Sequence, residues 1–198
     1  MKLVLATRNE GKVRELAHML QGMGVELSSL ADYPEIPEIV EDGDTFLANA
    51  RKKAHAVCEI TGLPALADDS GLVVEALGGA PGIHSARYAG TQGDYSANNE
   101  KLLSEMANVP DGERQAAFVC AMVLAIPGGE EYDVEGRCDG EIARDYRGAE
   151  GFGFDPLFHV PAEGKTMAEL PMERKNAISH RGRALKNMKK ILEGLLSG

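Results

Sequence analysis

The longest apolar run in the chain, from Ala116 to Ile126, places the strongest constraint on its fold. Its 11 residues are too few to cross a bilayer, which takes about 20. Such a run, closed by a proline and two glycines, is typical of a strand buried on both faces. Residues 132–138 read as a second strand after that short loop, and we expect the two to be antiparallel and central. With the elements below, this indicates an α/β fold, a mixed sheet with helices on its faces.

Local patterns place the other elements. Apolar residues at helical spacing predict four helices, the second of them from Thr45. Asn9, Ser96 and Ser179 are placed to cap the other three. Short apolar runs predict strands at 2–6, 25–27, 64–67 and 72–77, the last two joined by a turn at 68–71. No internal repeat or interdomain linker is visible, so we expect one domain over residues 1–198.

Charge and cysteine content limit the partners and the compartment. A formal charge of −10 opposes non-specific attraction to nucleic acid or anionic lipid, so any polyanion must be met by a local positive pocket. We therefore expect neither nucleic acid nor membrane as a partner, and the sequence has no visible export signal or membrane anchor. Cys58, Cys120 and Cys138 lack CxxC spacing, which is typical of buried thiols in a reducing cytoplasm.

The segment Thr7-Arg8-Asn9-Glu10-Gly11-Lys12 joins the first strand to the first helix. A helix start offers backbone N–H groups and partial positive charge, and Lys12 adds a full positive charge, so the segment is suited to binding phosphate. It is not a Walker A loop, because Ala6 stands where the first glycine is needed and Val13 follows the lysine. The alternative is an ordinary capped turn.

Acidic residues form a second group. Adjacent carboxylates such as Asp68 and Asp69 are costly unless a cation neutralises them, and oxygen ligands favour magnesium that arrives with a phosphate chain. Glu41 and Asp42 offer further carboxylates. Lys53 lies on the apolar stripe of the second helix and is carried toward the body of the protein. The alternatives are a solvated turn at 68–71 and a lysine that snorkels to water.

A third and a fourth group lie near the end of the chain. In Gly151-Phe152-Gly153-Phe154-Asp155-Pro156, phenylalanines flanked by glycines can present ring faces to a nucleobase, where stacking is worth roughly 1 to 3 kcal/mol; core phenylalanines are the alternative. Lys175 precedes Ser179-His180-Arg181-Gly182, whose cations occupy the first turn of the last helix. Cations there oppose the helix dipole unless an anion or hydrogen-bonding ligand faces them. A surface His-Arg pair is the alternative.

Together these segments resemble the Ham1 family, the inosine/xanthosine triphosphate pyrophosphatases. Its motifs T-x-N-x-x-K, E-x-G-x-T-F-x-x-N-A and D-D-S-G-L are similar to the segments starting at Thr7, Glu41 and Asp68. The series continues with 78–88, 151–156 and 178–182, so the resemblance covers nearly the whole chain.

The resemblance implies a fold and an activity. The fold is an elongated mixed α/β sheet with two lobes and an active-site cleft between them, in a homodimer. The activity is Mg2+-dependent hydrolysis of ITP, dITP and XTP to the monophosphate and pyrophosphate, which removes deaminated purines from the nucleotide pool.

It also implies residue roles. Asp69 would be general base and metal ligand, Glu41 the second ligand and Asp68 a supporting one, while Lys12 and Lys53 hold the phosphates. Substrate-binding residues would be Thr7, Arg8, Asn9, Glu10, Gly11, Lys12, Ser70, Phe152, Gly153, Phe154, Asp155, Lys175, His180 and Arg181, with His180 and Arg181 reading the purine. Asp42 stays open as an alternative to Glu41.

Two other functions compete with this one. Asp42-Gly43-Asp44 could be the DxD of a phosphatase that forms an aspartyl-phosphate, although its approach through Pro34 and Pro37 is a poor central strand. The same residues could also serve a nucleotide sensor without turnover. Pyrophosphate release, orthophosphate release or binding alone distinguishes the three.

Overall fold

A mixed seven-stranded β-sheet organises the protein in the computed structural model, which describes residues 1–197. The strands are β1 (Lys2–Leu5), β2 (Glu26–Ser29), β3 (Ala65–Val74), β4 (Gln115–Ala125), β5 (Glu131–Ile142), β6 (Phe158–Val160) and β7 (Lys165–Thr166). Their order across the sheet is β2-β1-β3-β4-β5-β6-β7. β1 runs parallel to β2 and β3, whereas β6 is antiparallel to β5 and β7. The predicted mixed α/β sheet is confirmed, and the apolar run of β4 is its middle strand.

Five α-helices accompany the strands within the described residues: α1 (Glu10–Leu20), α2 (Phe46–Thr61), α3 (Tyr95–Glu105), α4 (Met172–Ile178) and α5 (His180–Ser197). Local chemistry fixes two of their starts as predicted, because the Asn9 side chain accepts a hydrogen bond from the Lys12 N–H and Thr45 accepts one from Ala48. The predicted cap of α3 at Ser96 is wrong. The cap is Asp94, whose carboxylate accepts from the Ala97 N–H.

The chain divides into two compact units, the first made of residues 1–69, 120–136 and 181 onward. In this unit successive side chains of β1 point to opposite faces of the strand and pack into two different apolar cores. Leu3 and Leu5 belong to a cluster with α1 and α5, whereas Val4 belongs to one with Ala50 of α2. The first unit therefore has α1 and α5 on one face of its strands and α2 on the other.

The second unit comprises residues 70–119 and 137–180. One apolar cluster fills it, in which Phe118 of β4 and Phe158 of β6 lie with ring centroids 4.4 Å apart. Arg114 is also buried there, and its guanidinium donates to main-chain carbonyls, including that of Ile142 at 2.7 Å. The single domain over 1–198 and the cleft between two lobes stay predictions.

The segment around the adjacent aspartates differs from the prediction. A turn was expected at 68–71 between two short strands, but β3 runs unbroken from Ala65 to Val74 and carries both aspartates inside it. Turn propensity assumes that the carboxylates are solvated, yet Asp68 and Asp69 are both buried. The ammonium groups of nearby lysines stabilise the two buried negative charges in place of water. The backbone at 68–71 can therefore stay extended.

Across residues 1–197, no helix combines the length and the apolar character that a bilayer crossing requires.

Candidate active site

Successive residues of β3 direct their side chains to opposite faces of the strand, and this separates the two aspartates. On one face Asp68 Oδ2 lies 2.9 Å from Lys12 Nζ of α1 and 3.3 Å from Arg181 Nε of α5. On the other face Asp69 meets Lys53 and Asn49 of α2. Adjacent carboxylates in one strand thus have different neighbours.

Lys53 is the point at which the acidic residues of the first unit converge. Its ammonium lies 2.9 Å from Glu41 Oε1 and 4.0 Å from Asp69 Oδ1, and it donates to the main-chain carbonyl of Asp68 at 2.8 Å. Lys12 donates to that same carbonyl at 3.3 Å. Lys53 is 7% exposed, so the alternative of a lysine that snorkels to water is wrong.

We call Glu41, Lys53, Asp68, Asp69 and Lys12 the carboxylate–lysine cluster. Burial would lower the pKa of Lys53, but the charges of Asp69, Glu41 and Asp68 outweigh it and raise that pKa. Burial would raise the pKa of Asp68, but Lys12, Arg181 and Lys53 together hold it far below its usual range. For Asp69 burial prevails over the nearby lysines, and its pKa is raised.

Arg181 connects this cluster to a residue that the sequence did not single out. Its Nη1 lies 2.6 Å from Glu15 Oε2 on α1, and both side chains are buried. The cation in the first turn of α5 therefore meets carboxylates of the protein itself, Glu15 and Asp68. Its predicted part in reading the purine stays a prediction, because the contacts seen here are electrostatic support for Asp68.

The two candidates for the second acidic ligand have different surroundings. Glu41 joins Asp69 around Lys53, whereas Asp42 is exposed and pairs with Lys52 at 2.6 Å. This favours Glu41. Asp42 also follows no strand in residues 33–41, so the aspartyl-phosphate reading lacks the buried strand that its DxD requires.

The donor set fits a divalent cation. Among residues 1–197 no group of three or more His, Cys, Asp or Glu side chains is arranged to hold a metal, and Oδ2 of Asp68 is in contact with both Lys12 and Arg181. Glu41 and Asp69 remain, and magnesium commonly takes one or two carboxylates together with substrate phosphates. When Glu15 and Arg181 are added to the cluster, it contains four carboxylates and three cationic side chains. With all seven groups ionised, a bound divalent ion would change the net charge of this group from −1 to +1.

The opening loop lies where phosphate binding was predicted, at the start of α1. Thr7 Oγ1 accepts a hydrogen bond from the Asn9 N–H at 3.1 Å, and Gly11 is buried in the first turn. Arg8 Nη2 donates to the Ile36 carbonyl at 2.7 Å, which gives Arg8 a structural contact. Glu10 is exposed.

A separate group of residues in the second unit surrounds Phe152. Lys175 Nζ lies 2.5 Å from Asp155 Oδ2 and 5.1 Å from the centroid of the Phe152 ring. Asp155 also accepts from the Phe152 N–H at 2.8 Å. We call Phe152, Asp155 and Lys175 the Phe152 cluster. A Cβ at Gly151, whose φ is +79°, would lie 2.1 Å from Asp155 Oδ2, so only glycine fits there.

The other predicted base-binding residues are more buried than expected. Phe154 is 5% exposed and belongs to the core of the second unit, so the expectation of an open ring face is wrong for Phe154, whereas Phe152 is half-buried. His180 is also buried, and its ring stacks on Phe118 at 4.7 Å between centroids. Gly153 accepts a hydrogen bond from Asn99 Nδ2 at 2.9 Å. Ser70 lies within β3.

Comparison with known proteins gives the family of this chain. Residues 3–191 match the Ham1 family. The chain belongs to that family. It is 57% identical to the dITP/XTP pyrophosphatase of Geobacter sulfurreducens over 188 residues, which cover 95% of this chain and 94% of that protein. The dITP/XTP pyrophosphatase of Desulforamulus reducens is 54% identical over 195 residues, which cover 98% and 97%.

Solved structures of Ham1 proteins have the same fold. The Staphylococcus aureus Ham1 protein gives a TM-score of 0.86 at 39% identity, covering 98% of this chain and 99% of that one. The Mycobacterium abscessus protein described as a nucleoside-triphosphatase or dITP/XTP pyrophosphatase gives 0.76 at 49% identity, covering 95% and 98%. The α/β fold and the Ham1 resemblance predicted from the sequence are both confirmed.

Sequence reasoning missed two residues of the site, Glu15 and Asn49. Glu15 lies one helical turn after Lys12, but a single acidic residue on an amphipathic helix gives no signal by itself. Asn49 had a signal, since it stands on the buried stripe of α2 four residues before Lys53. An amide on such a stripe needs buried hydrogen-bond partners.

Proposed function

We propose that this chain hydrolyses dITP, ITP and XTP to the monophosphate and pyrophosphate in a Mg2+-dependent reaction. One observation carries the proposal: Glu41, Asp69 and Lys53, from an acidic loop, a strand and a helix, converge in a chain of the Ham1 family. Cleavage between the α and β phosphates requires positive groups beside the leaving pyrophosphate, which is an anion, and a base near the attacking water. The carboxylate–lysine cluster has residues of both kinds.

Within this proposal the lysines bind the polyphosphate. Lys12 and Lys53 are held by carboxylates and by the Asp68 carbonyl before substrate arrives, so their ammonium groups are already ordered. Ordered charge costs little reorganisation when phosphate oxygens bind. The backbone from Thr7 to Lys12 and the Ser70 hydroxyl are assigned to the same substrate.

Asp69 is assigned to proton transfer. Its buried carboxyl has a raised pKa, which makes it a better proton acceptor than an ordinary aspartate. Glu41 and Asp69 are the residues that would hold the magnesium ion, which supplies positive charge against the polyphosphate. Asp68 is assigned to fixing Lys12, whose ammonium lies 2.9 Å from its Oδ2, and to supporting the metal ligands.

Purine selection is assigned to the Phe152 cluster, with His180 and Arg181 as further candidates. The Phe152 ring offers a face for stacking, and the Lys175 ammonium can donate to a 6-oxo oxygen but cannot accept from a 6-amino group. A purine with the wrong group leaves a buried polar atom unpaired, and such mismatches discriminate by roughly 10⁴ to 10⁵-fold.

The setting of the enzyme is also part of the proposal. We infer a homodimer in the cytoplasm with a nucleotide substrate and no nucleic-acid partner. The charge of −10 disfavours nucleic acid, and the three cysteines are buried thiols that suit a reducing compartment. Light scattering of the purified protein tests the dimer.

A panel of dITP, XTP, dATP and dGTP, assayed with and without Mg2+, tests the activity. Pyrophosphate released from dITP and XTP only with Mg2+ supports the proposal. Orthophosphate would favour the aspartyl-phosphate mechanism, and binding without turnover would favour a sensor. For base selection, Lys175→Met should narrow the preference for dITP over dATP. Its matched control is Lys101→Met, whose ammonium lies 4.2 Å from the Tyr88 ring centroid and which should keep that preference.

A further inference from the structure

Asn49 is a buried amide in a position where asparagine is a poor choice for stability. It lies in the first turn of α2, inside the helix, with an exposed fraction of 1%. Asparagine has modest helix propensity, and a buried amide is costly unless its groups are hydrogen-bonded. Both of its groups are engaged, so the partners explain why the amide is there.

Those partners are the two segments that carry the acidic residues of the cluster. Asn49 Nδ2 donates to Asp69 Oδ2 at 3.0 Å, and Asn49 Oδ1 accepts from the Gly43 N–H at 2.8 Å. One amide thus links β3 to the loop that bears Glu41, two residues before Gly43. Lys53 also contacts both segments, through the Glu41 carboxylate and the Asp68 carbonyl, but Asn49 is the side chain that bonds the Asp69 carboxylate and the loop backbone at Gly43.

The contact with Asp69 determines which way its carboxylate turns. Since Oδ2 is held by Asn49, Oδ1 is the oxygen that lies nearer Lys53, at 4.0 Å. Glu41 Oε1 lies 2.9 Å from the same Lys53 ammonium. The rotation of Asp69 and the position of Glu41 therefore both depend on the Asn49 amide.

Gly43 supplies an independent observation of the same link. A Cβ at this position would lie 2.8 Å from Asn49 Oδ1 and 2.9 Å from the Ala48 Cβ. The loop therefore approaches the start of α2 more closely than any residue with a side chain allows. An alanine there would push the loop away and lengthen the Gly43–Asn49 hydrogen bond.

We infer that Asn49 is a positioning residue that holds Asp69 and the Glu41 loop in one fixed arrangement, so that both carboxylates are ready for a divalent cation. The inference rests on the proposed function for its choice of cation. Residues that orient metal ligands typically change metal affinity or activity by about 10 to 100-fold when replaced. We expect a loss in that range for Asn49→Ala.

Two further variants break the two halves of the link separately. Asn49→Asp keeps an acceptor for the Gly43 N–H but places an oxygen against Asp69 Oδ2 in place of the donor. Gly43→Ala keeps the Asn49–Asp69 contact and disturbs the loop. Both should weaken metal binding, and both keep the protein testable if Asn49→Ala fails to fold.

The measurement is Mn2+ binding to metal-free protein by electron paramagnetic resonance, together with kcat and KM for dITP at saturating Mg2+. We expect weaker Mn2+ binding and lower kcat with little change in KM. Asn98→Ala is the control, because Asn98 is also a buried amide and bonds only to main-chain groups of residues 85, 86 and 89. It should lower thermal stability and leave Mn2+ binding unchanged.

The outcomes separate the inference from the proposed function. Folded Asn49 and Gly43 variants that bind Mn2+ as tightly as the wild type would overturn the role of Asn49, whatever the wild-type activity. A wild type that releases no pyrophosphate from dITP would overturn the proposed function, while the Mn2+ measurement would still decide the role of Asn49.

Discussion

Replacing Asp68 and Asp69 one at a time by asparagine should have opposite effects on the stability of the metal-free protein. The two carboxylates are neighbours in β3, but their environments differ. The pKa of Asp68 is held far below its usual range by Lys12, Arg181 and Lys53 against the effect of burial. Burial raises the pKa of Asp69. Folding therefore favours the charged form of Asp68 and the protonated form of Asp69.

The size of the Asp68→Asn effect follows from the contacts that are lost. Removing one partner from a buried ion pair costs about 3 to 5 kcal/mol, because the other charge is left uncompensated. Arg181 keeps Glu15 at 2.6 Å, and the Lys12 side chain is 14% exposed and can reach water. We therefore expect a loss near the lower end, about 3 kcal/mol, out of the roughly 5 to 15 kcal/mol typical of a folded domain.

The pH dependence gives the sign of each contribution. Because the folded pKa of Asp68 is lowered far below the unfolded value of about 3.9, its stabilisation is fully present above that unfolded value and is lost as the pH falls below it toward the folded pKa. Because the folded pKa of Asp69 is raised, its contribution is present at acid pH and is lost as the pH rises through that pKa. Asparagine cannot ionise, so the Asp69→Asn variant avoids the cost of a buried charge at this position. The substitution should therefore leave the free energy of unfolding at pH 8 unchanged or raise it.

Urea unfolding in EDTA, followed by far-ultraviolet circular dichroism from about pH 2 to about pH 8, measures both variants on either side of the unfolded pKa of aspartate. We expect Asp68→Asn to lower the unfolding midpoint at pH 7, and we expect the difference from wild type to shrink as the pH falls below about 3.9 toward about 2. Asp69→Asn should match or exceed the wild type at pH 8. Equal losses for the two variants at pH 7, or a loss for Asp68→Asn that does not change with pH, would refute the reasoning.

Three further predictions concern the metal, a helix cap and a glycine. Chelation by EDTA should abolish pyrophosphate release from dITP and added Mg2+ should restore it; activity that persists would contradict the assignment of Glu41. Asp94→Ala should cost about 1 kcal/mol in urea unfolding, whereas Ser96→Ala should cost little, and the reverse order would contradict the cap seen here. Gly151→Ala should cost more than about 2 kcal/mol, because it combines a left-handed backbone with a 2.1 Å approach to Asp155 Oδ2; a smaller loss by thermal denaturation would show that the segment relaxes.

The parts of the fold that sequence predicts well are those fixed by neighbours in the chain. Asn9 caps α1 as expected and α2 begins after Thr45 as expected, since a cap needs only an N–H three residues away. The run from Ala116 to Ile126 predicts the middle strand, because all of its residues are apolar and a strand of this kind must bury both of its faces. The short α4, with seven residues, has no amphipathic stripe long enough to predict.

Parts of the site depend on residues far apart in the chain, and there local patterns fail. Asp68 and Lys12 are 56 residues apart and Arg181 and Glu15 are 166 apart, so no spacing rule links them. The family resemblance identified Lys12, Lys53, Glu41 and Asp69 as site residues without showing their partners. That Arg181 supports Asp68 could be found only from the folded contacts.

Residues 68–71 lie in a strand and not in the predicted turn, and this explains why two adjacent aspartates suit the site. In a turn both carboxylates would reach water, and neither would be fixed. In a strand, alternation sends Asp68 toward Lys12 and Arg181 and sends Asp69 toward Lys53 and Asn49. The carbonyl between them receives both lysines. The carboxylate on one face therefore fixes Lys12, and the carboxylate on the other face is the one that the proposed function assigns to proton transfer.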